Sequence, residues 1–206
     1  MSGDKHSVTR TAILDATEQI MHEEGYAAVS SRKIAAKAGL KSQLVHYYFR
    51  SMDELFLALF QRVEEQQFQR LTQAIAAKKP LLTLWKISID ANGPWLNKEF
   101  IALATHREHL RREIARAAER TRRIYAAVLS RVLEERGMAQ AAWPPIVLSI
   151  LLDGVSRLIN SEAALGTAEG HAETIAFIEH YLGQIEGRPA ADGFAPYREA
   201  PDQADK

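Results

Sequence analysis

The sequence predicts an all-α protein in two parts, an N-terminal three-helix helix-turn-helix module and a larger C-terminal helical domain. Three observations carry this reading. Apolar residues recur near a 3.6-residue period through much of the 206-residue chain. Glycine, proline and small polar residues punctuate that pattern at helix-length intervals. Beyond Pro80 there are few strand or hairpin signals.

The first helix is set by Ile13, Leu14, Thr17, Ile20 and Met21, with Thr9 as its expected cap and Gly25 suited to the left-handed position that ends it. A second, shorter helix carries Ile34, Ala35 and Ala38, capped by Ser30 or Ser31 and stopped by Gly39. Only Leu40 and Lys41 intervene before a third short helix begins at Ser42, with Val45 and Phe49 facing inward. Two short helices joined by a glycine turn and preceded by a packing helix are the sequence form of helix-turn-helix. Ala35 and Ala38 allow the helices to approach closely, and the third helix presents its outer residues to a groove.

A fourth helix starts at the capping box Ser51-Met-Asp-Glu54 and runs from about 51 to 77, roughly 40 Å at 1.5 Å per residue. It is long enough to act as a lever between the two parts. Further helices are expected over Leu81 to Asn92, Trp95 to about Thr105, His106 to Arg136, Pro145 to Leu165 and Glu169 to Ile185. Leu110, Ile114, Ala117, Ile124, Val128 and Val132 mark the buried side of the longest. Its Arg-rich face reads as solvated and laced by Glu–Arg pairs such as Glu108–Arg112 and Glu113–Arg116.

Composition narrows function. Lys+Arg 26 against Asp+Glu 26, with 47% hydrophobic residues, describes an ordinary globular chain and excludes a wholly electrostatic polymer binder. Cys 0 excludes disulfides, a thiolate zinc site and a cysteine nucleophile, and fits a reducing compartment. Met1-Ser-Gly-Asp-Lys-His lacks the apolar core of a secretory signal, and no apolar run approaches the ~20 residues that span a bilayer. The longest, Ile146 to Leu152, is followed by Asp153 and Arg157 and reads as a buried helix. A cytoplasmic protein without membrane association is expected.

The neutral total hides an uneven distribution. From Tyr26 through Met52 the chain has Arg32, Lys33, Lys37, Lys41 and Arg50 and no acid, leaving 21 basic against 26 acidic residues elsewhere. A cationic patch on a small helical module suits a polyanion, because each neutralised phosphate releases counterions. A five-charge run on its own is more often a solvated face. The order of elements around it tips the reading toward nucleic acid.

Catalysis finds no support. His106 and His109 stand at i,i+3 without an evident third ligand, and there is no Gly-x-Ser-x-Gly elbow or phosphate-cradling glycine loop. No catalytic residue, metal site or cofactor is expected.

The run from Ala27 to Leu55, with its Ser31-Arg32, Ile34-Ala35, Ala38-Gly39, Tyr47-Tyr48-Phe49 and Ser51 followed by Leu55, resembles the DNA-binding domain of the tetracycline-repressor (TetR) family of bacterial transcription regulators. The resemblance covers roughly residues 9 to 60 and is architectural beyond. It implies that Ser31 and Arg32 lie near the DNA backbone, with Arg32 able to reach a base edge. Ser42, Gln43 and Leu44 would face the major groove, where Gln43 can pair with adenine and Leu44 can touch a thymine methyl. Lys41 and Tyr47 would hold phosphates, with His46 and Tyr48 at the boundary. This chain departs from the family's frequent pattern at Lys41, at Gln43 and at Met52, where a Lys is common; Arg50 is the cation left to serve that backbone position.

The resemblance further implies domains at 1–52, for DNA binding, and 53–186, for ligand binding and dimerisation, with 187–206 as a flexible tail. Phe60, Val63, Trp85, Trp95, Phe100, Leu103 and Tyr125, with Asn92, Asn97, His106 and Thr121 as polar company, are candidate lining for a small-molecule pocket. The helix from Ile146 to Ile159 is apolar around most of its circumference and needs cover on two sides. Ile150, Leu151, Asp153, Val155, Arg157, Leu158, Phe177, Ile178 and Tyr181 are therefore expected at a homodimer interface, half of a four-helix bundle. The expected function is a ligand-responsive regulator, by family default a repressor, that binds a palindromic DNA operator as a dimer and is released by a small-molecule effector. The competing reading is a dimeric architectural DNA binder or helical adaptor without effector.

Overall fold

The computed structural model describes residues 2–90, 95–138 and 144–187, with side chains from His6 onward and not at 95–97. Trp95, Asn92, Asn97 and the tail beyond residue 187 thus lie, as side chains or entirely, outside the described residues. Among the described residues there are nine α-helices, one 3-10 turn and no strand. The helices are α1 (Ser2–Glu24), α2 (Ser31–Ala38), α3 (Ser42–Tyr48), α4 (Met52–Ile75), α5 (Pro80–Ile89), α6 (Trp95–Ala104), α7 (Glu108–Glu135), α8 (Pro145–Ala163) and α9 (His171–Gly187).

The chain divides into two compact units: Met1–Gln69 with Pro94–Glu119, and Arg70–Gly93 with Arg120–Lys206. In the first, the inward residues of α1 are the expected ones, Ile13, Leu14, Thr17, Ile20 and Met21, each at most 2% exposed. Thr17 satisfies its buried hydroxyl by donating to the Ile13 carbonyl at 2.7 Å. Thr9, however, lies inside α1 and does not cap it, because the helix begins at Ser2. Residues on both sides of Thr9 have tertiary partners: the His6 ring lies 4.5 Å from that of Tyr48, and Arg10 stands over Phe49. Packing of this kind sustains helix where local signals do not.

Gly25 ends α1 with φ +78° and ψ 166°, a positive-φ conformation but not the left-handed helical one expected. The next amide, Tyr26 N–H, donates to Glu99 Oε2 of α6 at 2.7 Å. Ser30 caps α2 by accepting the Lys33 amide, and Gly39 closes it in the left-handed region at φ 65°, ψ 32°. α3 starts at Lys41–Ser42 without a side-chain cap, as a lysine at that position requires. Val45 and Phe49, four residues apart, are 1% and 2% exposed. Ser51 Oγ accepts the Glu54 amide at 3.1 Å, while Glu54 Oε2 returns to the Arg50 amide and not that of Ser51.

α6 and the start of α7 belong to this first core. Phe100, Leu103, Ala104 and Leu110 are buried in one cluster with Leu55, Phe56, Leu59 and Phe60, and the Phe60 and Phe100 rings meet edge-on at 5.2 Å. Arg107 donates to Asp53 at 2.7 Å and lies over the Phe56 ring, tying the start of α7 to the start of α4. Arg62 of α4 bridges Asp15 and Glu18 of α1.

The second unit packs α5, the rest of α7, α8 and α9 around Leu81, Leu84, Trp85, Leu129, Val132 and Leu182. Pro80 is the first residue of α5. Two of the orphan amides that open this helix, Leu81 and Leu82 N–H, donate to the buried carboxylate of Glu186 at 2.6 and 3.2 Å. The helix end of α9 thus caps α5 across 105 residues of sequence.

On α8 the buried positions are Ser149, Ser156 and Ile159. Both serines return their hydroxyls to carbonyls three residues back, and Asn160 Nδ2 donates to the Ser88 carbonyl of α5 at 3.0 Å. Small residues at i and i+7 let α8 lie close to its own unit. Ile146, Ile150, Leu151 and Leu158 of the same helix stay exposed, while Leu148, Leu152 and Val155 pack beside Ile159 on the core.

Candidate DNA-binding face

With Val45 and Phe49 buried, the remaining faces of α3 are turned outward. Ser42, Gln43, Leu44, His46 and Tyr47 are exposed, Leu44 at 37% and Tyr47 at 71%. Tyr48 is half-buried and packs on the first core, so it is partly structural. Arg32, Lys41 and Arg50 are exposed, and Ser31 is half-buried in the first turn of α2.

The five cations of the acid-free segment do not share one fate. Lys33 pairs with Glu24 and Lys37 with Glu23, both acids from the last turn of α1. Lys37, with Gln19, holds the Glu23 carboxyl below its ordinary range. Among the described residues no acid pairs with the side chains of Arg32, at the start of α2, or of Lys41 and Arg50, which flank α3. The patch is thus narrower than its sequence suggests, and concentrated around the exposed helix.

Sequence reading missed two residues of this face. His6 and Arg10, from the first turns of α1, abut the end of α3: the His6 ring is 6.2 Å from Tyr47, and the Arg10 guanidinium is 5.1 Å from the Phe49 ring centre. Nothing local to positions 6 and 10 announces that juxtaposition.

The candidate pocket residues separate. Phe60, Val63, Phe100 and Leu103 pack in the first core, whereas Trp85 and Tyr125 pack in the second. Trp85 Nε1 is buried without an acceptor among the described residues. The Tyr125 hydroxyl donates to the Leu84 carbonyl at 3.4 Å. Burial, with the charge of Asp153, pushes this phenol up to about 12. Along α7, Glu113 pairs with Arg116 as expected, while Arg112 meets His109 Nδ1 at 3.1 Å.

Of the expected dimer residues, Ile150, Leu151, Arg157, Leu158 and Phe177 are exposed, and Asp153 and Tyr181 are half-buried. Val155 and Ile178 pack against their own core. Asp153 and Arg157 form the ion pair their spacing suggests, at 2.9 Å, and the Phe177 and Tyr181 rings lie 4.8 Å apart.

A helix-turn-helix with an exposed, cation-flanked third helix, followed by a second all-α unit, is an arrangement suited to placing one helix in a DNA groove. Residues 13–59 match the model of the bacterial regulatory proteins of the tetR family. The chain is 27% identical over 126 residues to the HTH-type transcriptional regulator BetI of Rhizobium meliloti (strain 1021). That match covers 56% of this chain and spans 61% of the length of the curated relative. A TetR transcription regulator from Haloarcula marismortui shares the fold at a TM-score of 0.72 and 19% identity, over 85% of this chain and 96% of that one. The transcriptional regulator FadR from Bacillus subtilis, in complex with stearoyl-CoA, aligns at a TM-score of 0.62 and 18% identity, over 84% and 96%. Residues 13–59 are thus similar to the DNA-binding segment of tetR-family regulatory proteins, and the chain shares the all-α fold of solved regulators of that kind.

Proposed function

We propose that this protein is a repressor that binds a two-fold DNA operator as a homodimer and leaves it when a small-molecule effector occupies its helical second unit. The observation that carries the reading is the outward face of α3, where Gln43 and Leu44 stand exposed beside unpaired Lys41 and Arg50. Phosphate contacts fix register and base contacts carry sequence information. Lys41, Tyr47 and Arg50 serve the first role, with Ser31 and Arg32 from α2. Ser42, Gln43 and Leu44 serve the second, Gln43 toward adenine and Leu44 toward a thymine methyl. His46 and Tyr48 border the duplex.

Dimerisation is supported by the exposed Ile150, Leu151, Leu158 and Phe177. Exposed apolar side chains of this kind on α8 and α9 call for a covering surface, and a second copy supplies one in a four-helix arrangement. Two recognition helices then read half-sites about one DNA turn apart. The domain roles follow: residues 1–52 read DNA, 53–186 sense ligand and dimerise, and α4 runs through both.

Effector response is supported by the polar groups of the second core, the unpaired Trp85 Nε1 and the Tyr125 hydroxyl, set among apolar residues. The stearoyl-CoA complex of the Bacillus subtilis protein is a case of this fold holding a ligand. Ligand favouring one of two conformations lowers operator affinity by its differential affinity for them. No helix among the described residues is long and apolar enough to cross a membrane, consistent with action on chromosomal DNA in the cytoplasm.

Selection of genomic fragments with the purified full chain tests the reading. A single recurrent two-fold motif is expected, and genes beside it narrow the choice of effector. Enrichment without a shared motif would reject it.

A further inference from the structure

We infer that Arg10 of α1 is an additional phosphate-binding residue, which extends the DNA face beyond the helix-turn-helix onto the first helix. The inference rests on the DNA-binding reading of α3 and adds to it.

α1 begins at Ser2, so positions 6 and 10 are one helical turn apart on a formed helix. Both meet the end of the recognition helix. The His6 ring packs on Tyr48 at 4.5 Å and lies 6.2 Å from the 71%-exposed Tyr47. The Arg10 guanidinium sits 5.1 Å from the centre of the Phe49 ring, and Arg50 follows Phe49 in the chain. Phe49 is itself 2% exposed, so the ring is an anchor, and Arg10 lies on it as an exposed residue. No acid among the described residues pairs with Arg10.

This arrangement differs from that of the two lysines of α2. Lys33 and Lys37 are spent on Glu24 and Glu23 at the far end of α1. Arg10 is held by an aromatic face, which orients a guanidinium without neutralising its charge and leaves its planar donors available to a phosphate. With Tyr47 and Arg50 it forms one edge around the exit of α3. Phosphates flanking the bases read by Gln43 and Leu44 are the anions such an edge fits.

The experiment is the salt dependence of binding to a mixed-sequence DNA duplex, which needs no knowledge of operator or effector. Arg10→Met keeps aliphatic cover over Phe49 and removes the charge. The slope of log affinity against log salt is expected to fall in magnitude by about 0.9 for each chain bound, or about 1.8 for a dimer. Arg10→Lys should retain the wild-type slope. Arg116→Ala, which deletes a charge paired with Glu113 on α7, should also leave it unchanged. A wild-type slope in R10M with native thermal unfolding overturns the inference alone, as does loss of slope in R10K equal to that in R10M. Absence of any salt-dependent binding by the wild type overturns the DNA-binding reading itself.

Discussion

α3 and α8 are built on opposite plans. In α3 Val45 is buried, and the outer residues are Ser42, Gln43, His46 and Tyr47 with one exposed aliphatic, Leu44, while Lys41 and Arg50 flank the helix. In α8 the most buried residues include Ser149 and Ser156, while Ile146, Ile150, Leu151 and Leu158 are 41–56% exposed. A helix with its apolar side inward and its charge outward addresses water or a polyanion. α8 packs on its own fold through Ser149, Ser156 and Ile159, with Leu148, Leu152 and Val155 beside them, and its remaining exposed Ile and Leu side chains are open to a second apolar partner. One chain thus displays two surfaces of different chemistry, and the account assigns DNA to the first and a second copy to the second.

The largest effect that would break this contrast comes from the α8 face. Leu158→Glu should convert the dimer to monomers in light scattering while leaving helical content intact, and should weaken operator binding at least 100-fold, because half-site energies no longer add. Unchanged mass would assign the face to something else. Next, Gln43→Ala and Leu44→Ala should each lower discrimination between operator and mutated operator by about 1–3 kcal/mol, with little change on mixed-sequence DNA. Competition binding measures both arms.

A comparable effect is expected on stability from Glu186→Ala. It leaves the Leu81 amide buried and unpaired, at about 1–3 kcal/mol, and thermal unfolding should fall by several degrees. Smaller still is the alkaline signature of Tyr125. Its folded phenol titrates near 12 against an ordinary value of 10.0, so its contribution to stability is complete below 10 and is lost as pH rises toward 12. Ultraviolet titration should show one tyrosine ionising late, and Tyr125→Phe should remove that step.

Much of the first unit was legible in its sequence because its signals are local. Ile13, Leu14, Thr17, Ile20 and Met21 repeat at helical period, Ser30 and Gly39 bracket α2, and Ser51 opens α4 within four residues of its partner Glu54. Misreadings arose where the deciding contact is distant. α1 extends ahead of Thr9, where the ring at 6 rests on the ring at 48. Lys33 and Lys37 looked like part of the cationic face, but acids at 24 and 23 stand beside them. Glu186 capping α5 and Glu99 capping Tyr26 N–H have no marker in their own neighbourhoods. For α8, an all-round apolar pattern said that two sides would be covered. It could not say that the serine side faces inward, since burial of Ser149 and Ser156 depends on how near α5 lies.

The most direct test is a footprint of the purified full chain on its selected DNA fragment. The account predicts two protected half-sites related by a two-fold axis, with centres about 10–10.5 base pairs or a multiple of that apart, and loss of the pattern in Gln43→Ala. A single unpaired protected site, or a two-fold footprint that Gln43→Ala and Leu44→Ala leave unchanged in sequence preference, would contradict it.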